Sequence, residues 1–156
     1  MKKVNKGFSL VELIIVIAIM AILAGALAPQ LIKYINKSRL SSDVQTGSAI
    51  QSAVQAALAN EGAYDVAESA TYDKQYKPVA SVVNASDSFA TEVKSALGGT
   101  TGTGKSKKDI DGTAFTNQNF YLYLDLQNNQ VEVYYGETSK SAGIMVSPIA
   151  GSRMVK

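Results

Sequence analysis

From Leu13 to Ile32 no side chain is ionisable, and the run is apolar almost without interruption. About 20 such residues at ~1.5 Å each match the ~30 Å hydrocarbon core of a bilayer, which predicts a helix of membrane-spanning length. Past this run, Leu40, Val44, Gly47, Ile50, Val54 and Leu58 recur at steps of three and four, with Lys37, Arg39, Asp43, Gln51 and Gln55 interspersed. That spacing predicts an amphipathic helix whose apolar stripe faces a sheet and whose polar residues face water. The two helices read as one rod, bent at Pro29 and stopped at Asn60-Glu61-Gly62.

Ala63 to Ala85, with Tyr64, Tyr72, Tyr76 and Pro78, shows no clear period and reads as an irregular connection. Asp87 or Ser86 is placed to cap a short helix carrying Phe89, Val93 and Leu97 on one face and ending at Gly98-Gly99. Thr100 to Gly112, rich in Gly, Thr and Lys, predicts a mobile loop. Phe120, Leu122, Leu124 and Leu126 then alternate with Tyr121, Tyr123 and Asp125, and after a polar turn at Gln127 to Gln130, Val131, Val133 and Tyr135 alternate with Glu132 and Tyr134. These are the strands of a hairpin, and Gly143 to Ser147 offers a third strand before Pro148. The expected class is α+β: a long N-terminal helix packed on a small antiparallel sheet of about three strands.

Charge changes this picture at one position. Glu12 lies inside the apolar segment, just behind the basic leader of Lys2, Lys3 and Lys6. Those lysines hold that end in the cytoplasm, so the remaining chain faces outward. An ordinary secretory signal is cut after its apolar region. Here the candidate cut, Gly7/Phe8, precedes the apolar run, and cleavage there discards the leader and keeps the helix. An ionised group near the middle of a membrane helix costs about 2.5 to 3.5 kcal/mol, so Glu12 needs a cation. Cleavage creates one at the Phe8 amine. Phe8 and Glu12 stand at i and i+4, and either an intrachain pair or a pair with a neighbouring subunit's Glu12 satisfies both charges. The intersubunit pair would fix the axial stagger of bundled helices. The alternative is that Glu12 sits in the first turn and merely complements the helix dipole. Pro29 lacks a backbone N–H and Gly25 weakens the same turn, which predicts a kink or a local unwinding, and a segment from Gly25 to Pro29 that melts when the subunit leaves the bilayer for a filament. A membrane-helix proline that is simply tolerated is the alternative.

Lys6-Gly7-Phe8-Ser9-Leu10-Val11-Glu12-Leu13 resembles the class III signal of type IV prepilins, over roughly residues 1–37. The resemblance implies a leader of residues 1–7, an assembly helix over 8–32, a stalk helix over 33–60 and a globular head over 61–156. It implies that a prepilin peptidase cuts after Gly7 and N-methylates Phe8, that Glu12 is the assembly carboxylate, and that Pro29 is the family's helix-disrupting proline. The implied function is structural. The subunit would be held in the cytoplasmic membrane, delivered to a pilus assembly platform and polymerised with other pilin subunits into a surface filament for adhesion, motility or DNA uptake. The alternatives are a pseudopilin of a type II secretion or competence system and, from a different class, a single-pass membrane-anchored binding module.

No enzyme site emerges. The chain has no His and no Cys, which excludes the nucleophile and metal-ligand sets that use them, and no cofactor or metal is expected. Asp109-Ile110-Asp111 reads as a solvated loop rather than a calcium site. Lys105, Lys107 and Lys108 read as loop solubility rather than a contact with DNA or an anionic surface, and Gly102 to Ser106 lacks the spacing of a phosphate loop. Tyr121, Tyr123, Tyr134 and Tyr135 suggest either an exposed aromatic patch or cross-strand pairs that stabilise the sheet. Asn36 and Asn84 head glycan-acceptor patterns. Removing the three leader lysines from a formal charge of +2 leaves −1, so no specific nucleic acid is expected as a partner.

Overall fold

The computed structural model describes residues 7–98 and 102–148. The leader lysines, and Gly99 and Thr100 of the expected helix stop and loop, lie outside these residues. The chain divides into two compact units, residues 1–35 and 36–156. Helix α1, Leu10–Leu58, belongs to both and is uninterrupted along its length.

In the first unit, α1 is an apolar rod whose side chains are exposed. Leu10, Leu13, Ile17, Ile22, Leu27 and Ile32 are all exposed, and none of the apolar window of the helix is buried.

In the second unit the amphipathic half of α1 lies on an antiparallel sheet. Strands β1 (Tyr76–Pro78), β2 (Phe120–Asp125), β3 (Gln130–Tyr135) and β4 (Ile144–Ser147) follow one another in chain order across it. The sheet therefore has four strands. The supposedly irregular stretch after α1 supplies the extra one, pairing Tyr76 with Tyr123 and Pro78 with Tyr121. Its two outer strands are short, three and four residues, and each meets a proline, Pro78 at the end of β1 and Pro148 just after β4. That same stretch also holds two helices, α2 (Glu61–Ala67) and α3 (Val79–Val83). Asn60, expected only to stop α1, also starts α2 by accepting the Ala63 N–H on its side chain. Helix α4, Ser88–Ala96, has Asp87 as its N-cap, accepting the Ala90 N–H at 2.7 Å, with Phe89 and Val93 buried as the pattern predicts.

The core forms where the α1 stripe meets the inner face of the sheet. Leu40, Val44, Ile50 and Val54 are buried with Phe120, Leu122, Leu124, Val131, Val133, Tyr135 and Val146. Gly47 permits the closest approach: a Cβ there would stand 2.5 Å from the Val146 Cγ2, so a larger residue would push helix and strand apart.

Two expectations fail together at the rim of this core. Asp43 is 1 % exposed rather than solvated, and the segment after residue 102 is fastened rather than mobile. The Asp43 carboxylate accepts the Lys105 N–H and the Ser106 N–H, each at 2.8 Å, and the buried Tyr135 hydroxyl donates to the Ser106 carbonyl at 2.7 Å. Gly104 is packed so closely on the Tyr135 ring that a Cβ would enter it. A buried carboxylate is stable only with such donors, and consecutive backbone amides supply them. Asp109, also expected in solvent, is buried, and its Oδ1 accepts the Asp111 and Thr113 N–H groups. Asp109 thus shapes the turn instead of facing water.

Replacing Asp43 by Ala should lower the stability of the second unit by about 3 kcal/mol, since two charge-assisted hydrogen bonds are lost and a buried N–H is left without its acceptor. Thermal unfolding of the variant measures this, and amide exchange at Lys105 and Ser106 should accelerate. Alkali should act through the tyrosines. Burial pushes the hydroxyls of Tyr72, Tyr76, Tyr134 and Tyr135 above the ordinary 10.0, with Asp87 adding to Tyr72, Glu132 to Tyr134 and Asp43 to Tyr135. The folded state holds them neutral. Below the ordinary value both states are protonated and this contribution is fully present; above it the unfolded chain ionises first, and stability falls as pH rises. In a spectrophotometric titration these tyrosines should ionise late and together with the loss of circular dichroism.

Candidate functional site

The helix start is built by residues 7–13. Gly7, Phe8 and Ser9 precede α1 without regular structure, and Phe8 is 90 % exposed. Ser9 is the N-cap. Its Oγ accepts the Val11 N–H at 3.3 Å and its carbonyl accepts the first helical N–H, from Leu13, at 3.2 Å. Glu12 reaches back so that its Oε2 accepts the Ser9 N–H at 2.8 Å. This is a capping box, in which side chains satisfy amides that the first turn leaves without partners. A carboxylate there also complements the positive end of the helix dipole. Glu12 therefore occupies the first turn, as in the dipole alternative, and it additionally holds a specific amide. Ser9 escaped the sequence reading, although the Ser-x-x-Glu spacing of Ser9 and Glu12 is the usual signal for it.

Gly25 and Pro29 lie one turn apart inside α1. Pro29 has no N–H for the carbonyl four residues earlier, and that carbonyl belongs to Gly25, so the two residues are the ends of one missing hydrogen bond. Helix α1 runs through both residues without a break, which a kink and a simply tolerated proline both allow. A Cβ at Gly25 or at Gly7 would meet nothing within 4 Å.

The remaining candidates sit elsewhere. No group of three or more His, Cys, Asp or Glu that could hold a metal occurs among the described residues. The four tyrosines do not form an exposed patch: Tyr135 is fully buried in the inner core between Phe115 and Phe120, while Tyr121 and Tyr134 are 5 % exposed on the other face. On that outer face Tyr76, unremarked in the sequence as a sheet residue, stacks on Tyr121 with ring centroids 4.8 Å apart and meets Tyr134 edge-on at 5.5 Å. Lys140 covers the Tyr123 ring at 3.2 Å and pairs with Glu132 at 2.7 Å. These are the cross-strand contacts of a sheet that has no disulfide to close it. Lys105, Lys107 and Lys108 are exposed on the segment held by Asp43. Asn84 is exposed after α3, whereas Asn36 is half-buried and donates to the Asp109 carbonyl at 3.2 Å.

Residues 2–28 match the family model of the prokaryotic N-terminal methylation motif, a stretch that includes Gly7, Phe8, Glu12 and Gly25 and stops short of Pro29. A fimbrial protein of Pseudomonas aeruginosa is 38 % identical over 74 residues, 47 % of either chain. A type IV major fimbrial protein, FimA, of Dichelobacter nodosus is 40 % identical over 58 residues, 37 % of either chain. The chain thus spans about half the length, or less, of the curated relatives it matches. No solved structure matches it. Both relatives are named as fimbrial proteins, not enzymes. The chain thus carries the methylation motif and is similar over part of its length to fimbrial proteins, a similarity with which its long apolar helix and four-stranded sheet agree.

Proposed function

We propose that this chain is the structural subunit of a type IV pilus. In this reading a prepilin peptidase cuts between Gly7 and Phe8 and methylates the new Phe8 amine, and residues 8–32 hold the subunit in the cytoplasmic membrane with its N-terminus inside. A pilus assembly platform then polymerises the subunits through the same helix into a filament on the cell surface. The observation that carries the proposal is the apolar rod itself: its large hydrophobic side chains are exposed from Phe8 to Ile35, and only lipid or the like helices of other subunits can cover them.

The cut site supports the reading by its accessibility. Gly7 and Phe8 lie exposed ahead of the first helical turn, outside regular structure, where a peptidase can reach the backbone. Cleavage leaves the Phe8 amine one residue from the Ser9 amide that Glu12 already holds. In a filament the carboxylate then pairs with a neighbour's amine, and a subunit displaced by one turn leaves both charges unpaired in apolar surroundings. Melting between Gly25 and Pro29 during assembly belongs to the same reading, because one hydrogen bond is already missing there and neighbouring helices can pack against the freed backbone.

Gly7→Val adds a branched side chain where nothing else is touched, so it should leave the fold intact and block processing; mass analysis should find only the full-length chain in the membrane fraction. A trimmed product beginning at Phe8 would contradict the assigned cut. For Glu12→Ala, membrane insertion and trimming should persist while the yield of sheared filaments falls about tenfold or more, the factor that ~1.4 kcal/mol per subunit contact represents. Normal yield from Glu12→Ala as the sole subunit would remove the pairing argument.

A further inference from the structure

The segment that Asp43 fastens presents its lysines in a fixed arrangement. Gly104, Ser106 and Asp109 face inward and are buried, while Lys105, Lys107 and Lys108 stand between and beside them, exposed. Three attachments set their place. The Lys105 and Ser106 amides donate to Asp43, the Lys105 Nζ donates to the Ser42 Oγ at 3.0 Å, and the Asn36 Nδ2 donates to the Asp109 carbonyl. All three tie the segment to the first turns of the second unit, where Lys37 and Arg39 are also exposed. Five cations are thereby gathered at one end of this unit, against Asp111 as the exposed carboxylate of the segment. Beyond the other end of α1, about 30 Å away at 1.5 Å per residue, the exposed charges Glu61, Asp65 and Glu68 have the opposite sign. A chain whose net charge without its leader is close to zero therefore carries a strongly basic pole.

We propose that Lys37, Arg39, Lys105, Lys107 and Lys108 form a docking surface for the anionic phospholipid headgroups of the bilayer that holds the unassembled chain. The proposal rests on the reading of residues 8–32 as membrane-spanning. Asn36 follows directly on the last residue of the apolar unit, so the basic segment it binds is tied to the point where the chain leaves the hydrocarbon, and headgroup phosphates are the anions present there. Several lysines beside a membrane helix attract an anionic surface additively and over about one Debye length. Because the segment is fastened, these cations reach the headgroups without the entropy loss that ordering a mobile loop would entail.

The test uses the full-length chain in nanodiscs of phosphatidylcholine alone or with added phosphatidylglycerol, and reads acylation of each lysine by an N-hydroxysuccinimide ester with mass spectrometry. Lys107 and Lys108 should react about fivefold more slowly in the anionic discs at low salt, the factor expected for one lysine engaged at such a surface. High salt should abolish the difference, and Lys74 and Lys94 should show none. The double variant Lys107→Gln/Lys108→Gln should lose most of the remaining protection at Lys105. Equal rates in the two lipids, or protection that survives high salt, would overturn the proposal. Protection that follows the number of chains per disc rather than lipid charge would overturn it in favour of the acidic end of a second copy, and salt-sensitive binding of duplex DNA without any lipid discrimination would do so in favour of a nucleic acid. Insertion is read separately, by resistance to an alkaline carbonate wash: release from both lipids would refute the membrane-spanning reading itself.

Discussion

Water cannot be the resting environment of the first half of α1. Side chains such as Leu10, Ile22 and Ile32 leave most of their surface uncovered, and each apolar side chain of this size gains about 1.5 to 3 kcal/mol when it is buried. The second unit offers no such demand, because its own stripe is already closed on a sheet. The molecule thus separates two tasks along one helix. One end selects an apolar medium, and the other carries a folded head whose own apolar stripe is already covered. Everything proposed for this chain follows from the need to keep that apolar end covered in every state, in a bilayer or in a polymer.

The head meets its own constraint without cysteine. Small domains that face an oxidising exterior commonly use disulfides to restrain loops, and here a carboxylate takes that place. Asp43 rises from the buried arc of α1 and holds two amides of a segment more than sixty residues away in sequence. The outer face of the sheet is closed in a comparable way by aromatic stacking around Tyr76, whose hydroxyl donates to the Glu137 carbonyl at 2.9 Å. Both devices depend on buried or half-buried polar groups that keep their hydrogen-bond partners.

Periodicity made the long helix, its stripe, helix α4 and the β2–β3 hairpin legible in the sequence, because each buries one face over several repeats. β1 was not legible, since three residues ending at Pro78 are too few to show alternation and their partners at Tyr121 to Tyr123 are far along the chain. The fastened segment was hidden for another reason. Gly, Thr and Lys describe only its outward side, and what holds it is Asp43 on another element. A closer reading of the helix would have found that residue, because Asp43 is three residues after Leu40 and four before Gly47, within the buried arc rather than opposite it. Of the proposed site, the sequence singles out Gly7, Phe8, Glu12, Gly25 and Pro29 by charge, cut-site order and helix breakers. The Ser9 amide that engages Glu12 was legible in principle from its spacing.

The outer strands of the sheet carry a last consequence. Exposed strand borders recruit other strands, and a protein stored at high density beside copies of itself is the case in which such recruitment does most harm. β1 offers three residues and ends at Pro78, which has no N–H to donate, and β4 offers four before Pro148. Neither border is long enough to template a neighbour. In the proposed filament, heads side by side would lack that competing route of self-association, which would leave longitudinal growth to the helices.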